Sequence, residues 1–208
     1  TRTATLMPSA ALASATSYTA TLTTGIKSAT GVAMSSPVSF SFTTATCPCS
    51  LLTGLTPAAT QLPTQDGRSG AGPWSYEMGM KIQVSSPVSL TAIRFYKDSA
   101  ETGTHIGRLW NASGTQLAQT TFAGETAAGW QQQALSSPVA LTPGQVYVVS
   151  VGINANFVMT ASGLATQRTS GPLSSVADGA NGVFGSAAGV FPTGSWNSSN
   201  YFIDAVVS

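Results

Sequence analysis

The chain has 208 residues, of which 42% are hydrophobic and 7% charged, with a formal net charge of +1. That is enough apolar material for a packed core, so a wholly disordered chain is excluded. With no Lys/Arg run and no apolar run long enough to cross a bilayer, neither a nucleic-acid partner nor a membrane span is expected. The opening residues, Thr1-Arg2-Thr3, carry no signal-peptide pattern, so any export signal is expected to lie outside this sequence.

Helical periodicity is nearly absent. Alternating residues predict strands at 3–6, 17–22 and 38–42, punctuated by Pro8, Gly25, Gly31 and Pro37. Three strands with one apolar face cannot bury that face alone. Composition then changes across "FTTATCPCSLLTGLTP", residues 42 to 57: no acidic residue precedes it, and all seven acids and all four tryptophans follow. A boundary near residue 45 is expected, giving units 1–45 and 46–208. Cys47 and Cys49 flank Pro48, a spacing open to a small disulfide, to two reduced thiols or to a soft metal. A single pair cannot supply a tetrahedral sulfur site.

Beyond the boundary, strands are predicted at 76–84, 89–97, 106–110, 115–122, 131–135, 145–152, 156–160 and 200–207. Ser-Pro or Thr-Pro corners fall at 86–87, 137–138 and 142–143. Short strands with polar turns predict an all-β fold, an antiparallel two-sheet sandwich of jelly-roll type.

Two resemblances sharpen this. "TATLMPSAALASATSYTATLTTGIKSATGVAMSSPVSFSFTT" resembles the second half of a bacterial Ig-like repeat: a strand ending in Pro-Ser, a Tyr-Thr-Ala strand, a Gly-Ile-Lys turn and a closing Phe-Thr-Thr strand. The strands that open such a repeat are missing. The resemblance therefore implies that the missing strands come from the same precursor, or from a neighbouring subunit by strand complementation, or that the half-domain docks on the larger one. The rest, including "IRFYKDSAETGTHIGRLW", "GETAAGWQQQ" and "GQVYVVSV", is similar to domain of unknown function 4082, an exported bacterial module. That resemblance implies an extracellular or cell-surface location beside Ig-like or carbohydrate-active domains. After Gly152 the chain departs from the pattern, with Asn154-Ala155-Asn156-Phe157 where a Tyr-bearing strand is usual.

Chemistry has few places to live. His105 is the single histidine, and no Gly-x-Ser-x-Gly elbow is present, so no catalytic residue is assigned and a hydrolase is the third-ranked expectation. Glu77 opens an early strand and Asp204 lies in the last one. In calcium-bearing carbohydrate-binding jelly rolls the first and last strands lie close, so a structural calcium is expected at these two acids, with Asp66 and Asp178 as loop ligands. The competing use of the same acids is bonding to backbone amides or to Lys/Arg partners. Trp110 and Trp130 sit in strand patterns and are expected in the core. Trp74 and Trp196 sit in Gly/Ser/Asn/Pro loops, where indoles stack on sugar rings, with His105 and Tyr96 as further ligand contacts. The leading expectation is a non-catalytic extracellular module that binds polysaccharide or cell-surface glycan. The alternative is a subunit of an extracellular fibre or surface layer, completed by strands from a neighbouring chain.

Overall fold

A computed structural model describes residues 8, 12, 16–44, 47–61 and 74–208. The strand expected at 3–6 and the metal candidate Asp66 lie outside the described residues. Every regular element among those described is a strand, so none is a helix long and apolar enough to cross a membrane. The chain divides into two compact units, Thr1–Cys47 and Pro48–Ser208.

In the first unit, β1 (Ser17–Leu22) and β2 (Val38–Thr43) form a two-stranded antiparallel sheet. Its register pairs Tyr18 with Phe42, Ala20 with Phe40 and Leu22 with Val38 on one face. On the opposite face hydroxyls meet, Thr19 with Ser41 and Thr21 with Ser39, each pair at 2.8 Å. The strict alternation of Thr/Ser with apolar residues writes this two-sidedness directly into the backbone pleat.

The second unit is a sandwich. Its strands are β3 (Ala59–Gln61), β4 (Tyr76–Val84), β5 (Val88–Lys97), β6 (Ile106–Asn111), β7 (Gln116–Thr121), β8 (Gly129–Leu141) and β9 (Val146–Ile153). After them come β10 (Phe157–Met159), β11 (Thr169–Ser170), β12 (Leu173–Ser175), β13 (Gly182–Gly185), β14 (Gly194–Ser195) and β15 (Ile203–Val207). The larger sheet runs β11-β12-β4-β9-β6-β7, with β13 also pairing with β4 and carrying β14. The smaller sheet is β15-β5-β8, and β10 pairs separately with β3. All named pairings are antiparallel.

Alternation assigns the layers. Met78, Met80 and Ile82 of β4, Val149 and Val151 of β9 and Leu109 of β6 share one face by register and are buried. They meet Ile93, Phe95, Ile203 and Ala205 from the smaller sheet, and a Cβ added at Gly107 would touch Ile93 across the interface and Phe122, which follows β7. Burying aliphatic and aromatic side chains of this size stabilises the fold by roughly 1.5–3 kcal/mol each before entropy is counted. The alternate residues of the larger sheet, Glu77, Arg108, Trp110, Val148 and Ser150, point to the outer face. There Trp110, Val148 and Val183 form a second apolar cluster with Phe191 packed on it. The expected corner at 137–138 is a bulge inside β8: between the pairs Leu90–Val139 and Ala92–Ala134 the register shifts past Leu135–Pro138. Cys47 and Cys49 are disulfide-bonded.

Candidate functional site

The acids organise the irregular parts of the sandwich. Glu77, Glu101 and Asp204 are all essentially inaccessible to solvent, a costly location for a carboxylate unless donors surround it. Each is surrounded, and each holds down a segment that has no ladder of its own.

Glu77 accepts hydrogen bonds from Ser150 Oγ at 2.6 Å, Arg108 Nη1 at 2.9 Å and the Gly189 amide at 2.7 Å. This fastens the 186–192 segment onto the outer face of the larger sheet. The approach is close: a Cβ at Gly152 would lie 3.1 Å from the Ala188 Cβ. Burial raises the Glu77 pKa, against the lowering pull of Ser150, Gly189 and Arg108. The Trp110 indole donates to Ser150 Oγ at 2.7 Å and completes the network.

Asp204 plays the same part on the smaller sheet. It accepts from the amides of Leu51 and Leu52, each at 3.0 Å, and from its neighbour Ala205 at 2.9 Å, with Arg94 Nη1 at 3.7 Å. Burial again raises its pKa more than the amides and Arg94 lower it. Arg94 stacks 4.5 Å from the centre of the Trp130 ring, whose indole donates to the Leu55 carbonyl at 3.0 Å. The entry segment 49–55 is thereby laid over the sheet.

The third group surrounds His105. Its Nε2 lies 3.0 Å from Glu101, and its Nδ1 lies 2.8 and 2.9 Å from the two oxygens of Glu125, which also takes Lys97 Nζ at 2.8 Å. Glu101 accepts three consecutive amides, Asn154 at 2.6 Å, Ala155 at 2.9 Å and Asn156 at 2.6 Å. For His105, burial alone lowers the pKa, but bonds to Glu101 and Glu125 outweigh it and raise it. For Glu101, burial raises the pKa, and bonds from His105 and the three amides prevail and lower it. Both ring nitrogens thus face carboxylates, an arrangement that favours the protonated ring. The departure noted after Gly152 is where Glu101 docks the chain.

These contacts redirect several expectations. His105 cannot touch a ligand, because it is fully buried with both ring nitrogens occupied by carboxylates. Glu77 and Asp204 are not brought together: they lie in different sheets and share no partner, and N–H and O–H donors occupy every carboxylate oxygen. Asp178 accepts from the Ala180 amide and pairs with Lys81 at 2.8 Å, an Asx turn with an ion pair. Among the described residues no three His, Cys, Asp or Glu side chains cluster as cation ligands. Glu101, Glu125 and Arg108 were not singled out by sequence. The available signal was their type: in a chain 7% charged, each ionic group within a strand or a Gly-bounded turn is a candidate for burial against a partner.

Two features face solvent. Trp196 is 55% exposed, the largest of the exposed apolar side chains in the second unit. It begins a turn in which Asn197 and Ser198 both adopt left-handed conformations, with φ of 49° and 45°. The turn is over-determined. Its carbonyls at Asn197 and Ser198 accept from the Ser162 and Leu164 amides, Ser198 Oγ donates to the Gly179 carbonyl, and Asn200 and Thr160 exchange both backbone bonds. Two strained non-glycine residues in succession persist only when surrounding bonds hold them, an arrangement concentrated at binding surfaces. The second feature is a shallow hollow of about 330 Å³ lined by Pro57, Ala58, Thr60, Tyr96, Asp98 and Val158, among others. Asp98 is oriented there by Thr60 Oγ1 and the Ala100 amide, each at 2.8 Å. Trp110 is buried, as expected, Trp130 is half-buried under the entry segment, and Trp74 is half-buried.

Comparison with known families fits this architecture. Residues 60–203 match the family described as Domain of unknown function (DUF4082). The chain belongs to that family. Residues 1–44 match a bacterial Ig-like domain. No curated protein matches the chain. Bacterial Ig-like domains are typically extracellular or on the cell surface, and beside one the DUF4082 sandwich reads as an extracellular module.

Proposed function

We propose that this DUF4082 sandwich is a non-catalytic module that binds neutral polysaccharide or cell-surface glycan, with the Trp196 turn as its platform. The observation that carries the reading is an indole 55% exposed on a backbone pinned from three sides. An aromatic ring already fixed in place loses little freedom when a sugar ring stacks on it, and Ser and Asn neighbours offer hydroxyl partners. Tyr96 and Asp98 line the hollow and offer an aromatic ring and a carboxylate acceptor to a sugar unit there. The non-catalytic part of the reading is supported by the ionic groups themselves: His105, Glu77, Glu101 and Asp204 are all inaccessible and fully engaged. Retention on a panel of insoluble polysaccharides is the test. The parent chain should be retained on at least one, and Trp196→Ala should weaken retention about fivefold with its melting temperature unchanged, since stacking contributes on the order of 1 kcal/mol. Absence of retention on every polymer, or undiminished retention by Trp196→Ala, would refute the assignment.

A further inference from the structure

The Cys47–Cys49 bond has no part in glycan binding, and it makes a poor staple. The two cysteines are disulfide-bonded with only Pro48 between them. A disulfide stabilises a fold chiefly by removing freedom from the unfolded chain, and that gain grows with the loop it closes. A loop from Cys47 to Cys49 is at the short extreme, so little freedom is removed. The fold also holds the downstream cysteine without help. Cys49 and Val207 exchange both backbone bonds. Just beyond, Asp204 holds the Leu51 and Leu52 amides, each at 3.0 Å, and the Leu52 side chain is fully buried. Cutting the S–S bond therefore leaves residues 49–52 in place.

Ring size supplies the other half of the argument. Bridging alternate residues closes a small covalent ring around a proline, whose φ is fixed near about −65°. Such a ring has few ways to relax, and it opens into two thiols that the backbone keeps adjacent. Those are the conditions of exchanging dithiols, whose cysteines also lie close in sequence, whereas structural disulfides resist the thiol pool. Cys49 is only 3% exposed and Cys47 is half-buried, so an incoming thiolate meets Cys47 Sγ first.

We propose that Cys47–Cys49 is an exchangeable disulfide, reduced by low-molecular-weight thiols while the sandwich stays folded. A small thiolate attacks Cys47 Sγ, the S–S bond breaks, and its electron pair leaves on Cys49 Sγ. A second small thiolate attacks the outer sulfur of the mixed disulfide and expels Cys47 as a thiolate. Each cysteine takes a proton from solvent. Two electrons have then passed to the protein, and the two small thiols depart joined as their own disulfide. The same steps in reverse reclose the ring.

Anaerobic equilibration of the full chain with glutathione and its disulfide, followed by alkylation and mass spectrometry, tests this. Millimolar glutathione without denaturant should reduce at least half of the folded chain. Reduction of the folded chain should need conditions no more than about fiftyfold stronger than for the urea-unfolded chain, because that ratio equals the stabilisation the bond gives the fold. In the reduced chain the Leu51 and Leu52 amides should keep their protection from hydrogen exchange. With the cysteines separated, Cys47 in Cys49→Ser should react with glutathione disulfide at least tenfold faster than Cys49 in Cys47→Ser. A folded chain that resists millimolar glutathione, or exceeds the fiftyfold limit, overturns the proposal. So does loss of protection at Leu51 and Leu52 on reduction, or equal reactivity of the two single cysteines.

Discussion

Glu101→Gln tests whether buried acids hold the irregular segments of the sandwich. Glu101 uses both oxygens on donors: Oε1 on His105 and the Asn154 amide, Oε2 on the Ala155 and Asn156 amides. Glutamine keeps one acceptor and turns the other position into an NH2 donor. Turned one way, the NH2 faces the Ala155 and Asn156 N–H groups; turned the other, it faces the Asn154 N–H and His105 Nε2, which must give up its proton, and its charge, to accept. Each lost bond to a charged group costs about 1.5–3 kcal/mol, so the substitution should cost about 3–5 kcal/mol, in line with breaking one partner of a buried pair. For a unit spanning Pro48–Ser208, at about 2–4 °C per kcal/mol, the melting temperature should fall by about 6–20 °C. Calorimetry measures the shift, and hydrogen exchange should show the amides of residues 154–156 losing protection. A melting temperature within about 3 °C of the parent, with those amides still protected, would refute the reasoning.

The same group sets a pH dependence. The folded pKa of His105 lies above its ordinary 6.5, so its contribution is complete below 6.5 and is lost as pH rises through the raised value. The folded pKa of Glu101 lies below its ordinary 4.5, so its contribution is complete above 4.5 and is lost as pH falls through the lowered value. Melting temperature against pH should show both flanks, and His105→Gln should remove the alkaline one; an unaltered alkaline flank would contradict the assignment. Asp204→Asn should cost about 2–4 kcal/mol and release the amides of Leu51 and Leu52 to hydrogen exchange without exposing those of β4. Gly182→Ala drives a Cβ into the Ser199 carbonyl oxygen, a backbone atom that cannot step aside, so it should destabilise by about 3 kcal/mol or more by denaturant titration. Tyr201, pushed by burial up to about 12, should be missing from the phenolate absorbance rise that exposed tyrosines show near pH 10.

Much of the strand pattern is legible in the sequence, because a period of two sustained over six or more residues leaves little choice of element. The stretch 76–84 coincides with β4, and 17–22 with β1. The proline corners at 86–87 and 142–143 fall between β4 and β5 and between β8 and β9. The short strands β11 to β14 escape, since runs of two to four residues are too short to show a hydrophobic period. β12 and β13 exist because β4 offers them an edge, and β11 and β14 pair with them in turn. The site was less legible. That Glu77 and Asp204 deserved notice could be read from their positions in apolar strands. What each would bind could not, because Arg108 meets Glu77 across the β9 strand that separates β4 from β6, and the Asp204 partners lie about 150 residues away in a segment without alternation. His105 illustrates the same limit: a lone histidine in a glycine-bounded turn resembles a ligand contact until its two carboxylate neighbours are in place.

Cys49 and Val207 exchange both backbone bonds, at 2.9 and 3.0 Å. In an antiparallel pair the incoming and outgoing chain emerge on the same side, with Cα atoms only about 5 Å apart. The two ends of the second unit therefore lie side by side. The unit should tolerate transplantation into an exposed loop of an unrelated host, joining two loop ends that are already neighbours and leaving the host's dimensions unaltered.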